Sequence, residues 1–241
     1  MNDLTQLTTE LLSKEDRKLS STSQSITNFE KLTQPINHND INIYLDIGCS
    51  KGGFTTILQK YFKPNETHGI EIDKELYSKI PNNINKYNID ITTNKLPFES
   101  NSVDLITCLG TLEHIKNYDF VLQEINRLLT KRGFAIFTLP NLGSWTNRLS
   151  LLGGWQPRNV EISNTYLTNI APWYTDSEIL NHVNSPTYNT FIDLLKKYNY
   201  NIIKTSPLYP YQKNNIVKII DYITKYRISL SRRFGVLAQK I

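Results

Sequence analysis

Residues 44–55 read YLDIGCSKGGFT, an apolar run that breaks into glycines and opens a helix. Asp46, Gly48, Cys49, Ser50, Lys51, Gly52 and Gly53 sit at that break. Glycine takes positive φ and lets backbone approach a ligand closely, and the first turn of a helix has amide donors without helical acceptors. Gly48, Ser50 and Gly53 imitate the dinucleotide fingerprint G-x-G-x-x-G, with serine at the second glycine. A carboxylate two residues before the first glycine would repel a pyrophosphate but steady an ammonium or sulfonium group. Downstream, Glu71 stands near the spacing expected of a ribose-binding acid, and its two oxygens can accept both ribose hydroxyls. Asp90 is placed to accept from an adenine amino group, with Ile91 as an apolar surface for the ring. Cys108-Leu109-Gly110 ends a further strand beneath the same crevice. Together these strand ends suit one adenosine-bearing cation.

The elements that must position these residues follow from periodicity. Short apolar runs at 41–48, 67–72, 84–91, 102–110, 134–140 and 201–206 read as strands, with 233–241 as a closing seventh. Between them, Phe54, Ile57, Leu58 and Tyr61 stripe a helix, "DKELYSKI" forms a short helix stopped by Pro81, and Phe120, Leu122, Ile125 and Leu129 stripe another. Phe191, Leu194, Leu195 and Tyr198 mark a later one. This alternation predicts an open α/β sheet with right-handed crossovers. Leu4, Leu7 and Leu11 begin a helical N-terminal extension, continued after a Ser/Thr-rich hinge by Ile26, Phe29 and Leu32. From Asn141 to about Ser185 periodicity fades while Trp145, Trp155 and Trp173 accumulate, as in a segment that caps a site. The expected organisation is one domain over 1–241: extension 1–40, cofactor-binding core 41–141, cap 142–190 and closing elements 191–241.

In order and spacing, "YLDIGCSKGGFT", "GIEID", "NIDITTNKLPFESNSVDLITCLGTLEHI" and "EINRLLTKRGFAIFTLPN" resemble the class I S-adenosylmethionine-dependent methyltransferases, in particular the branch with ubiquinone-biosynthesis-type enzymes. The resemblance is close over about residues 41–141 and far more specific than any single motif. It implies a Rossmann-like, doubly wound, seven-stranded sheet, mostly parallel with the last strand antiparallel. It also implies S-adenosyl-L-methionine held by Asp46, Gly48, Cys49, Ser50, Gly52, Glu71, Ile72, Asp90, Ile91 and Leu109. Ser50 stands where that family most often has glycine, which suggests a slightly wider loop.

For proton transfer, His114 and His182 are the candidates, the first in "LEHI" and the second in "NHVNSPT" beside the expected entrance. Some relatives hold a divalent metal with a glutamate three residues before Glu113; here that position is Gly110, so no metal is expected. His38 and His68 read as structural, and Cys49 and Cys108 as reduced packing residues, since two cysteines make no disulfide framework. Trp145, Arg148, Trp155 and Arg158 make either a substrate surface or the cap's own core, with core preferred for the tryptophans. Lys213 to Arg233 has the pattern of an interfacial membrane helix, yet a helix packed on the sheet explains the stripe Ile216, Ile219, Ile220 and Ile223 more simply.

The net charge of +5 permits an anionic partner without demanding one. The Asn/Asp-Pro-Pro-Tyr/Phe motif of amino-directed base methylases is absent, which argues against nucleic acid. Polar residues after Met1 and the lack of an apolar run of about 18 residues place the protein in the cytoplasm, with peripheral membrane contact permitted. The function expected is methyl transfer to a small-molecule, lipid-linked or glycan-linked acceptor. The rivals are a non-catalytic cofactor-binding or scaffold module and a nucleic-acid or protein methyltransferase. A nicotinamide dehydrogenase is the weakest option. Acceptor atom and oligomeric state stay open.

Overall fold

The computed structural model describes residues 3–13, 25–174, 179–209 and 214–241. Seven strands form one sheet: β1 (Ile43–Ile47), β2 (Glu66–Ile70), β3 (Asn85–Tyr87), β4 (Val103–Leu109), β5 (Leu129–Pro140), β6 (Tyr200–Leu208) and β7 (Arg233–Lys240). Their order is β3-β2-β1-β4-β5-β7-β6, with β7 antiparallel to both β5 and β6 and the remaining pairs parallel. The order reverses between β1 and β4. That switch point opens a crevice at the carboxyl edge, where open α/β sheets take ligands.

Side-chain alternation along each strand feeds two separate cores. Leu45, Ile106, Phe137 and Val236 face one side, where they meet Leu122 and Ile125 of α5 (Asp119–Leu128) and Phe191 and Leu195 of α7 (Tyr188–Lys197). Their neighbours Tyr44, Leu105, Ile136 and Leu237 face the other. There they meet α1 (Leu4–Leu11), α2 (Ile26–Thr33) and α3 (Gly53–Phe62) through Leu4, Leu7, Phe29, Leu32, Ile57 and Leu58. The N-terminal helices therefore complete a layer of the sandwich. The expected Ser/Thr-rich hinge lies mostly outside the described residues.

α4 (Lys74–Ser78) is capped by Asp73, whose side chain accepts from the Glu75 and Leu76 amides. α6 (Trp145–Leu152) follows β5, and the cap beyond it is irregular apart from an isolated bridge between Gln156 and Ile170. α8 (Asn215–Thr224) precedes β7.

Three expectations need correction. The third strand is three residues long, so Asp90 and Ile91 lie in the following loop. Leu129 opens β5 instead of closing α5. The isoleucine stripe of α8 points outward: Ile216, Ile219 and Ile223 are 60–68% exposed, while Val217 and Asp221 are buried. The helix is held by polar contacts on its inner side, because Asp221 accepts from the Trp145 indole (2.9 Å) and pairs with Arg232 (2.7 Å).

Candidate active site at the carboxyl edge

β1 ends at Asp46-Ile47 and turns through Gly48 and Gly52, at φ 73° and 75°. Both positions need glycine for space as well as for conformation. A Cβ on Gly48 would come within 2.3 Å of Thr111 Oγ1, and one on Gly52 within 2.9 Å of the Pro81 ring. Thr111 was not singled out by sequence, yet it donates to the Ile47 carbonyl (3.1 Å) and walls the loop from the β4 side.

The loop amides are not all open to a ligand, as the glycine pattern suggested. Gly48 and Cys49 both donate to the Ile70 carbonyl, at 2.9 and 3.0 Å, and Ser50 donates to Glu71 Oε2 at 2.8 Å. They stitch the loop to the end of β2. Ser50 itself takes φ 52°, which explains why glycine is easier there: the loop is strained at a side-chain-bearing residue, not widened.

Asp46 lies beneath the loop, 4% exposed, and both its oxygens accept hydroxyls: Thr107 on one and Thr55 on the other, each at 2.6 Å. Tyr44 in turn hydrogen-bonds Thr107 at 2.8 Å. The carboxylate is thus turned inward, with both oxygens already engaged by the two threonines. Burial raises its pKa to about 6 against the opposing pull of the two threonines, and Glu71 adds to the rise. Glu71, 7% exposed, also accepts from the Asp73 amide at 2.9 Å. Each Glu71 oxygen therefore holds one backbone amide and keeps further lone-pair capacity for a diol. Beside it Ile72 is 61% exposed, and Asn88, another residue the sequence did not flag, binds the Glu71 and Ile72 carbonyls at 2.8 Å each. Asp90 folds its own turn, accepting at Oδ1 from the Thr92 amide (2.8 Å) and hydroxyl (2.6 Å). This is the Asx-turn geometry; the side chain is still within the loop that follows β3. Leu109 ends β4 half-buried, next to Gly110. Cys49 and Cys108 are buried free thiols whose pKa values burial pushes up, so they pack rather than react.

Across the crevice, the short 3₁₀ turn Leu112–His114 carries Glu113 inward and His114 outward. The cap closes on this turn. Val183 and Asn184 amides donate to the Glu113 carbonyl at 2.9 and 3.1 Å, and His114 Nδ1 lies 3.1 Å from the Asn181 carbonyl. That carbonyl can only accept, so Nδ1 carries the proton and Nε2 keeps a lone pair when the ring is neutral. Glu113 Oε1 is paired with Arg233 Nη2 at 2.9 Å and stands 4.0 Å from His182 Nε2. His182 is buried. Desolvation pulls its pKa down to about 4 although Glu113 pulls the other way, so the ring is neutral near pH 7. Glu113 Oε2, His182 Nδ1 and Arg233 Nε are buried without a hydrogen-bond partner. Ligating atoms of Glu113, His114 and His182 lie within 4.8 Å of one another, so the fold supplies a third donor that spacing around Gly110 did not reveal. Arg233 holds one oxygen of that set.

Of the cap residues, Trp145 is buried, Trp155 and Trp173 meet edge to face at 5.2 Å, and Arg158 is 3% exposed and paired with Glu161 at 2.8 Å. They form the cap's own core. Arg148 is exposed and donates to the Gly143 carbonyl at 2.8 Å. His68 and His38 are packed against aromatic rings, in keeping with structural roles.

The donor set suits the adenosine-bearing cation expected from the sequence: a diol acceptor at Glu71, an exposed apolar face at Ile72, and a buried negative charge at Asp46 beneath a glycine turn. Residues 45–137 match the family described as Methyltransferase domain. An uncharacterised protein of Methanocaldococcus jannaschii, MJ1252, is 35% identical over 104 residues, 43% of this chain and 39% of that protein. The (S)-coclaurine N-methyltransferase of Thalictrum flavum is 28% identical over 97 residues, 37% of this chain and 26% of the enzyme. The chain thus matches well under half the length of these curated relatives. In fold, a methyltransferase crystal structure from Archaeoglobus fulgidus superposes with a TM-score of 0.59 at 16% identity, covering 94% of this chain and 98% of that one. The sheet order, the glycine turn and these matches together make residues 45–137 similar, in sequence and in fold, to methyltransferase domains of the class I, S-adenosylmethionine-dependent type.

Proposed function

We propose that the protein transfers a methyl group from S-adenosyl-L-methionine to a small-molecule acceptor, lipid-linked or glycan-linked, that enters the crevice beside the Leu112–His114 turn. The observation that carries this reading is Glu71, pinned by the Ser50 amide to the loop and flanked by an isoleucine that is 61% exposed. In this reading Glu71 takes the ribose, Ile72, Asp90 and Ile91 border the adenine, Leu109 lies under the methionine portion, and Asp46 with Gly48, Cys49, Ser50 and Gly52 shapes the floor.

The cofactor supplies an activated methyl carbon, so the protein's tasks are alignment, exclusion of water and, for a hydroxyl or amine acceptor, removal of a proton. His114 is the group for that proton: Nδ1 is engaged by Asn181, leaving Nε2 as the base. His182, buried and neutral, with Nδ1 unpartnered, suits a hydrogen bond to the acceptor. Incubating the protein and methyl-labelled cofactor with extract metabolites, followed by mass spectrometry, tests the reading. A product heavier by one labelled methyl is expected; a labelled extract identical to the protein-free control would sink it.

A further inference from the structure

A ten-residue helix that turns its isoleucines to solvent is unusual for a chain whose other helices bury theirs. Ile216, Ile219 and Ile223 recur at i, i+3 and i+7, and Tyr222 and Tyr226, 66% and 81% exposed, extend the same face. On α6, tied to α8 by the Trp145–Asp221 hydrogen bond, Leu151 and Leu152 are exposed as well, at 63% and 84%. Beside α8 runs an open groove of about 790 Å³ between α2, β6 and α8, whose lining includes Lys31, Lys204, Lys218, Lys225, Tyr222 and Tyr226. Among the described residues no ion pair engages these four lysines, and the groove's own carboxylate, Asp221, is paired with Arg232. Lys204 and Lys218 donate to amide oxygens, of Gln34 (3.1 Å) and Asn215 (3.3 Å), and Lys225 sits 3.6 Å over the Tyr222 ring.

An apolar helix face bordered by lysines and tyrosines matches the layering of a bilayer surface: acyl chains, interfacial aromatics, then anionic headgroups. We propose that α8 and the lysine-lined groove dock the protein on an anionic lipid bilayer, with Ile216, Ile219 and Ile223 in the acyl boundary and the lysines among the headgroups. Charge complementarity selects this occupant over a second copy, because two such grooves facing each other would bring eight lysines together. Among the described residues no helix is long and apolar enough to cross a membrane, so the attachment is peripheral. The inner side of α8 is bound to Arg232, the residue before Arg233, which pairs with Glu113 at the crevice. Docking on this side therefore sets the carboxyl edge near the lipid surface. That this serves to present a membrane-borne acceptor rests on the methyl-transfer reading; the docking itself does not.

The test is sedimentation of the full chain with phosphatidylcholine vesicles, with and without phosphatidylglycerol, at low and high salt, alongside cofactor calorimetry. Binding is expected only to the phosphatidylglycerol vesicles, weakened by salt. Ile219→Glu/Ile223→Glu should abolish it, and Lys218→Glu/Lys225→Glu should lower it roughly fivefold per lysine. Both double variants alter exposed or half-exposed side chains, so an unchanged thermal melt and unchanged cofactor affinity are expected of each. Vesicle binding that survives the isoleucine variant overturns the proposal, as does absence of binding by the wild type. A wild-type dimer in light scattering that Ile219→Glu dissolves would assign the face to a second copy. Retention by RNA or DNA in place of vesicles would assign the lysines to nucleic acid. Loss of cofactor binding with vesicle binding intact would instead count against the methyl-transfer reading alone.

Discussion

Replacing Asp46 by asparagine should make the protein more stable and a poorer binder of a cation. Burial lifts the folded-state pKa from 3.8 to about 6, so the native chain holds a proton that the unfolded chain releases. A raised carboxyl pKa contributes its favourable share below the unfolded value and loses it as pH climbs through the folded value. Two pKa units correspond to about 3 kcal/mol, of which about 2 kcal/mol is lost between about pH 4 and pH 7. Asparagine has no such titration, and its oxygen and amide can still meet Thr55 and Thr107. In urea titrations the wild type should therefore lose about 2 kcal/mol relative to Asp46→Asn over that pH range. Cofactor binding should move the opposite way. At an effective dielectric near 20, one charge across the loop is worth on the order of 1–2 kcal/mol, about tenfold in affinity. Calorimetry should show the larger loss for the sulfonium cofactor and a smaller one for its neutral thioether product, and wild-type affinity should fall as pH drops below about 6. Parallel stability profiles for the two proteins, or equal losses for both ligands, would refute the assignment of Asp46 as a buried field source.

Four further outcomes follow from the contacts. Gly48→Ala should destabilise by several kcal/mol, since it combines positive φ with a 2.3 Å approach to Thr111, and Thr111→Ala should recover the clash component but not the φ component in a double-mutant cycle. Arg233→Met should cost about 3–5 kcal/mol in chemical denaturation because it strands the buried Glu113 carboxylate, and adding Glu113→Gln should restore much of it. His114→Gln should lower kcat by about 10²-fold on a hydroxyl or amine acceptor with cofactor affinity unchanged, read by labelled-methyl transfer and calorimetry. Glu71→Ala should free the Ser50 and Asp73 amides and weaken cofactor binding by about 1.5–3 kcal/mol per lost charged hydrogen bond, measured by calorimetry.

The half of the site built by local order was legible in the chain. A buried strand, a glycine turn and an amphipathic helix are consecutive from Ile43 to Phe62, so spacing alone places Asp46, Gly48 and the start of α3. Glu71 was legible too, because it directly follows a short apolar strand. What the sequence hid depends on contacts between distant segments. Whether loop amides are free or taken by Ile70 and Glu71 is decided by the β1–β2 pairing. The approach of His182 and Arg233 to Glu113 joins residues 69 and 120 positions apart, a closeness that no local pattern carries. β3 shrank to three residues because only His68, Gly69 and Ile70 find partners on it, which moved Asp90 into an Asx turn. On α8, periodicity established a stripe of isoleucines but could not give its direction. The sign was set by Asp221, whose bonds to Trp145 and Arg232 hold the opposite side of the helix inward.

The central claim is that the loop from Asp46 to Gly52, closed by Glu71, binds S-adenosyl-L-methionine. Isothermal titration of the wild type and of Gly48→Arg with that cofactor tests it most directly, with circular dichroism to show that both proteins are folded. Binding in the micromolar range is expected for the wild type and none for a folded Gly48→Arg protein. Equal affinity in the two, or no heat of binding by the wild type, would contradict it.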